Sequence, residues 1–168
     1  MTKAFGILLA AAVTASASPA LADDEAFLAS FAGSWSGKGE FRITAGSSPM
    51  SVACAFDAAT SPTSLSLEGK CRGMVVVSRR IGVKLKTDGE GVSGSYVGST
   101  TGSAGLSGRR TGTGFDLSIR WAKSVNGDRE AQMKVEKVGE DGMKLTTTDV
   151  DPKTGRTVVT GRIDLSRS

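Results

Sequence analysis

Histidine is the side chain most often recruited for acid–base work near neutral pH, and this sequence of 168 residues has none. Without an imidazole there is no Ser-His-Asp or Cys-His nucleophile, no His-ligated zinc or copper and no His-ligated haem. Two routes to catalysis survive: a pair of carboxylates, or a Ser-Lys nucleophile. Glu40, Glu68 and Asp116 each stand singly, with no second acid at catalytic spacing. Asp149-Val150-Asp151-Pro152-Lys153-Thr154-Gly155 reads as a turn between strands, since a calcium loop needs more oxygen ligands in phase. Gly102 to Gly114 is rich in Gly, Ser and Thr, yet it lacks the Gly-Lys-Ser/Thr ending and the following helix of a phosphate loop. The expectation is a chain that is not an enzyme, with no catalytic residue, no metal site and no cofactor.

The two cysteines take their meaning from the N-terminus. Lys3 precedes an apolar run from Ala4 to Val13, and small residues end at Ala20-Leu21-Ala22. That is a basic n-region, an h-region too short to span a bilayer and an A-x-A cleavage site. Residues 1–22 therefore read as a cleaved signal peptide, and 23–168 as one periplasmic or secreted domain with no later transmembrane segment. In an oxidising compartment Cys54 and Cys71 most simply form a disulfide. A redox pair is the rival, but C-x-x-C spacing is missing. An antiparallel hairpin with Cys54 opposite Cys71 sets Phe56 opposite Gly69 and Ala58 opposite Leu67, all on one face.

The elements that position these residues are strands. A short helix is expected over residues 23–32, with Phe27, Leu28 and Phe31 near one face and Gly33 ending it. Beyond it the pattern is alternation broken by turns, as in Val52, Cys54 and Phe56, or Ile81, Val83 and Leu85. A two-residue Asp88-Gly89 turn predicts Leu85 opposite Val92, Val83 opposite Gly94 and Ile81 opposite Tyr96. A tight Asn126-Gly127 turn would give the wrong parity, so a bulge or longer loop is expected there, with Ile119 opposite Met133 and Leu117 opposite Val135. About eight to ten short, one-sided strands in sequence predict an all-β fold, a single antiparallel up-and-down barrel preceded by the helix. Aromatic residues form only 5% of the chain and the net charge of +4 is scattered, so neither a base-stacking surface nor nucleic acid is expected.

Phe31-Ala32-Gly33-Ser34-Trp35-Ser36-Gly37 places Gly-x-Trp at the opening of the first strand. This resembles the start of lipocalin-like (calycin) barrels. The resemblance implies that Trp35 packs at the barrel base beneath an arginine of the last strand, for which Arg162 is the candidate. It also implies a barrel that binds small ligands. A second resemblance is to small periplasmic barrel inhibitors of secreted metalloproteases, whose N-terminal residues enter the protease cleft; Asp23 to Leu28 would be that segment here. The preferred reading is a binding protein for an apolar or amphipathic small molecule or an envelope lipid, lined by Phe41, Phe56, Leu67, Val83, Tyr96, Leu117 and Ile119. Those same side chains equally suit a barrel filled solid. The alternative is a protein partner, through a protease-inhibitor or envelope-maintenance role. Arg80, Lys84 and Lys86 share an outer strand face that would suit anionic headgroups, or simply water.

Overall fold

From Gly33 onward the side chains alternate in and out, and a sheet that is apolar on one face must close or find a second layer. It closes. The computed structural model describes residues 19–73, 78–89, 91–99 and 101–168. Helix α1 (Pro19–Ala29) precedes ten strands: β1 (Gly33–Phe41), β2 (Met50–Ser61), β3 (Ser64–Gly73), β4 (Ser78–Asp88), β5 (Gly91–Ser99), β6 (Gly102–Arg110), β7 (Gly114–Val125), β8 (Asp128–Val138), β9 (Gly142–Val150) and β10 (Thr157–Arg167). Each strand pairs antiparallel with its neighbours in sequence, and β1 pairs with β10 to complete the barrel. The expected fold class is thus observed.

The seam between β1 and β10 shows what the strand glycines do. A Cβ at Gly37 or Gly39 would lie 2.0 or 2.1 Å from the carbonyl oxygen of Asp164 or Arg162, so no larger residue fits this approach. Inside, β2 buries Val52, Cys54, Phe56 and Ala58 in strict alternation, and the other strands supply Leu65, Val83, Leu106, Leu117, Met133 and Leu145. One contiguous apolar core results.

Several expectations need correction. Helix α1 starts at Pro19 and its α-helical part ends at Ala29, rather than spanning 23–32. Proline is favoured in a first helical turn, where a missing N–H costs nothing. The expected signal peptide lies outside the described residues as far as residue 18. In the β4–β5 hairpin Asp88 pairs with Gly91, so Leu85 faces Gly94 and Val83 faces Tyr96. The slip is two residues, which preserves every side chain's face and escapes a parity argument. The Asn126-Gly127 turn is tight, with Val125 opposite Asp128 and left-handed φ values of 55° and 104°. The irregularity lies between Arg120 and Val125 instead, and it delivers Leu117 opposite Met133 and Ile119 opposite Ala131. Parity was the sound part of that reading.

Candidate functional site

The two ends of the barrel differ, and the difference locates the site. At one end α1 acts as a plug. Leu28 and Phe31 are fully buried, and the rings of Phe27, Phe31 and Phe115 meet at 5.4–5.6 Å. Arg110 lies 4.0 Å from the Phe27 ring centroid and pairs with Asp24. Trp35 sits beside this plug, buried, donating its indole N–H to the Phe31 carbonyl at 2.9 Å.

The cation over Trp35 is not Arg162. Arg167 lies 4.4 Å from the Trp35 ring centroid and Lys137 lies 4.5 Å from it. Register explains the substitution: Trp35 pairs across the seam with Arg167, whereas Arg162 pairs with Glu40 near the other end of β1. Arg167 also donates to the carbonyls of Ser30 and Ala32, closing the C-terminal end of α1 where backbone acceptors have no helical partner. Burial, followed by the neighbouring Arg167 charge, lowers the pKa of the Lys137 ammonium.

Midway, Cys54 and Cys71 face each other across β2 and β3 and are joined by a disulfide. The expected pairs Phe56–Gly69 and Ala58–Leu67 are both present. A Cβ at Gly69 would lie 2.5 Å from the Phe56 ring, so the aromatic covers the glycine.

At the end away from α1 the barrel opens into a cavity of about 190 Å³. Small residues make the space: Gly73, Gly98, Gly161, Thr147 and Thr160 stand in its wall. A ten-stranded barrel is wider than the eight-stranded kind that side chains just fill, so small residues at one end leave room there. Of the residues expected to line a ligand site, Phe41 and Tyr96 stand in the wall of this cavity. Phe56, Leu67, Val83, Leu117 and Ile119 do not; each is at most 2% exposed and belongs to the packed part of the barrel.

The wall also holds polar groups that the sequence reading missed. Trp121 packs edge-on against Tyr96 with centroids 5.8 Å apart. Its indole Nε1 is the one buried side-chain polar atom among the described residues without a hydrogen-bond partner. Burial raises the Tyr96 hydroxyl above its ordinary pKa of 10.0, while the nearby Arg79 charge pulls the other way. Arg79 donates to the Gly98 carbonyl at 3.0 Å. Asp149 is buried and accepts from Asn126 Nδ2 and its neighbour's amide, Val150 N–H, both at 2.7 Å. Asn126 in turn accepts from the Ala45 N–H at 2.9 Å, which ties the β1–β2 loop to the rim. The left-handed φ of Asn126, which an Asn-Gly turn favours, is the local signal that could have placed this residue.

Two of the single acids have structural partners: Glu68 pairs with Lys84 and Asp116 with Lys134, both at 3.0 Å on the outer surface, while Glu40 is exposed on β1 opposite Arg162. Asp151 serves its own turn, accepting from Lys153 N–H at 2.9 Å and from the Thr154 hydroxyl at 3.0 Å. These backbone and side-chain donors hold its carboxyl below the usual range. Among the described residues no helix is long and apolar enough to cross a membrane.

No family model matches this sequence, and no curated protein matches it. Solved structures do. Rv2717c from M. tuberculosis is 16% identical, with a TM-score of 0.66 over 91% of this chain and 99% of that one. At that identity the likeness concerns the fold alone: this chain, a ten-stranded antiparallel barrel, is similar in fold to Rv2717c.

Proposed function

We propose that the chain is a non-catalytic binding protein that holds one small amphipathic molecule in the cavity at its open end. The observation that carries this reading is the cavity wall, which is mostly apolar yet contains the partnerless donor of Trp121. A buried donor left unpaired costs about 1–3 kcal/mol, and a ligand carrying an acceptor atom would recover it. Size narrows the class. A cavity of about 150 Å³ accommodates benzene, so 190 Å³ suits a ligand of one or two small rings or a short chain. A whole phospholipid acyl chain is too long for it.

The disulfide fits an oxidising compartment. We place the protein in the periplasm, delivered by residues 1–22 as a signal peptide. Trp35 beneath a guanidinium at the plugged end supports the lipocalin-like resemblance, with Arg167 in the role first given to Arg162. The inhibitor reading would require residues 23–28 to leave the packing that holds Leu28, Phe27 and Asp24 on the barrel.

Titrating the protein with benzyl alcohol and with benzoate, each of which carries an oxygen acceptor, and following Trp fluorescence, tests the proposal. Saturable quenching or enhancement is expected. It should vanish in Thr147→Phe, which fills the cavity, and in Trp121→Phe the Trp35 signal should stay silent. Wild-type and Thr147→Phe responding alike would remove the cavity from consideration.

A further inference from the structure

Among the described residues six large apolar side chains are exposed, and they are unevenly placed. Val138 lies at the plugged end. Val97 belongs to the open-end portion of β5, and the other four cluster at one corner of the open rim. Ile43 follows β1, Met50 starts β2, Val150 ends β9 and Val159 lies near the start of β10; they are 67%, 39%, 45% and 40% exposed. The corner is contiguous, because β1 pairs with β2 on one side and β10 on the other, and β10 pairs with β9.

Cations border this apolar corner. An outer groove of about 170 Å³ runs beside it, with Arg42, Arg162, Pro49 and Val159 in its walls together with Glu40. Arg42 is steadied by a hydrogen bond to the Ser47 carbonyl. Arg162 is exposed and makes no ion pair or side-chain hydrogen bond among the described residues. The β9–β10 loop adds exposed Lys153 and Arg156. Of the acids close by, Glu40 stands opposite Arg162 across the seam and is outnumbered in the groove by Arg42 and Arg162, Asp151 is engaged in its own turn, and Asp149 is buried against Asn126.

We propose that this corner docks on an anionic phospholipid surface. Arg42 and Arg162 take lipid phosphates, while Ile43, Met50, Val150 and Val159 enter the boundary between headgroups and acyl chains. Apolar side chains bordered by basic ones are the composition that such interfaces select, since burial and attraction to anionic lipid add. A rim docked in this way sets the cavity opening against the bilayer. The docking surface goes beyond the cavity reading: Arg42 and Ile43 also stand at the cavity mouth, whereas Met50, Val150, Val159 and Arg162 lie outside its wall.

The test is sedimentation of the purified protein with vesicles of phosphatidylcholine alone and of phosphatidylcholine mixed with phosphatidylglycerol. Binding is expected to the anionic vesicles and to weaken with salt. Each basic residue near such a surface is worth about fivefold in partitioning, so Arg162→Glu should lower it by roughly 25-fold. Ile43→Asp should weaken binding too, whereas Val138→Asp, at the plugged end, should not. Both rim positions are exposed, and matched circular dichroism and melting curves show that the variants fold. Thr147→Phe should still bind vesicles, which separates a failure of this proposal from a failure of the cavity reading. The proposal is overturned by absent binding, by equal binding to neutral vesicles, or by Arg162→Glu and Ile43→Asp binding as well as the parent. A rim that ignores vesicles and binds a protein instead overturns it equally.

Discussion

Replacing Arg167 by alanine tests how the barrel is plugged. The guanidinium donates to two carbonyls, Ser30 and Ala32, and lies 4.4 Å from the Trp35 ring centroid. It also approaches Asp141 at 3.4 Å. Its side chain is 35% exposed, so each interaction is discounted for solvent screening, to about 1 kcal/mol for each charged hydrogen bond. The two charged hydrogen bonds then contribute about 2 kcal/mol together, the cation–π contact roughly 0.5–1, and the surface ion pair under about 0.5. Arg167→Ala should therefore lose about 3 kcal/mol. Arg167→Lys should lose nearly as much, because an ammonium cannot reach both carbonyls and cover the ring. Arg162→Ala, exposed and unpaired, should change stability by less than about 0.5 kcal/mol. Urea unfolding followed by far-ultraviolet circular dichroism reads all three, with unchanged m-values showing that the native fold is retained. If Arg162→Ala costs as much as Arg167→Ala, the assignment of the Trp35 partner is wrong.

The disulfide closes a loop of 17 residues, so Cys54→Ser with Cys71→Ala should cost about 3 kcal/mol, and dithiothreitol should reproduce that loss in the parent protein. At Gly69 even alanine would put its Cβ 2.1 Å from the Ala55 carbonyl and against the Phe56 ring; a loss of about 1–3 kcal/mol is expected in the same unfolding assay. Tyr96 is the sole tyrosine, so phenolate absorbance reports it alone. Its folded pKa is raised above 10.0 by burial, which favours the neutral hydroxyl. The stabilisation is full below the unfolded value and is lost as pH rises through the folded one. Titration at or below the ordinary value would contradict the buried placement. Asn126→Ala should release the β1–β2 loop from Asp149's side of the rim, read as faster limited proteolysis between Ile43 and Pro49.

Alternation and turn chemistry made much of the barrel legible. Cys54, Phe56 and Ala58 could be paired with Cys71, Gly69 and Leu67 from sequence because two cysteines and a glycine–aromatic match fix one register. The β4–β5 hairpin had no such pin, and a two-residue slip leaves every face unchanged, so pattern alone could not detect it. Arg162 and Arg167 both lie on the last strand, and only the seam register distinguishes them. The cavity was the least legible feature. Inward-pointing Leu117 and inward-pointing Trp121 look alike in an alternating pattern. Which of them meets open space depends on where α1 plugs the barrel and where Gly98, Gly161 and Thr147 leave it unfilled.

Native mass spectrometry of the protein purified from its own host tests the central claim most directly. The wild type should carry one small molecule, within what 190 Å³ admits, and Thr147→Phe should be recovered without it. An adduct retained equally by Thr147→Phe would contradict the cavity as its site. A wild type that emerges as the bare chain under conditions that preserve weak complexes would contradict the binding role.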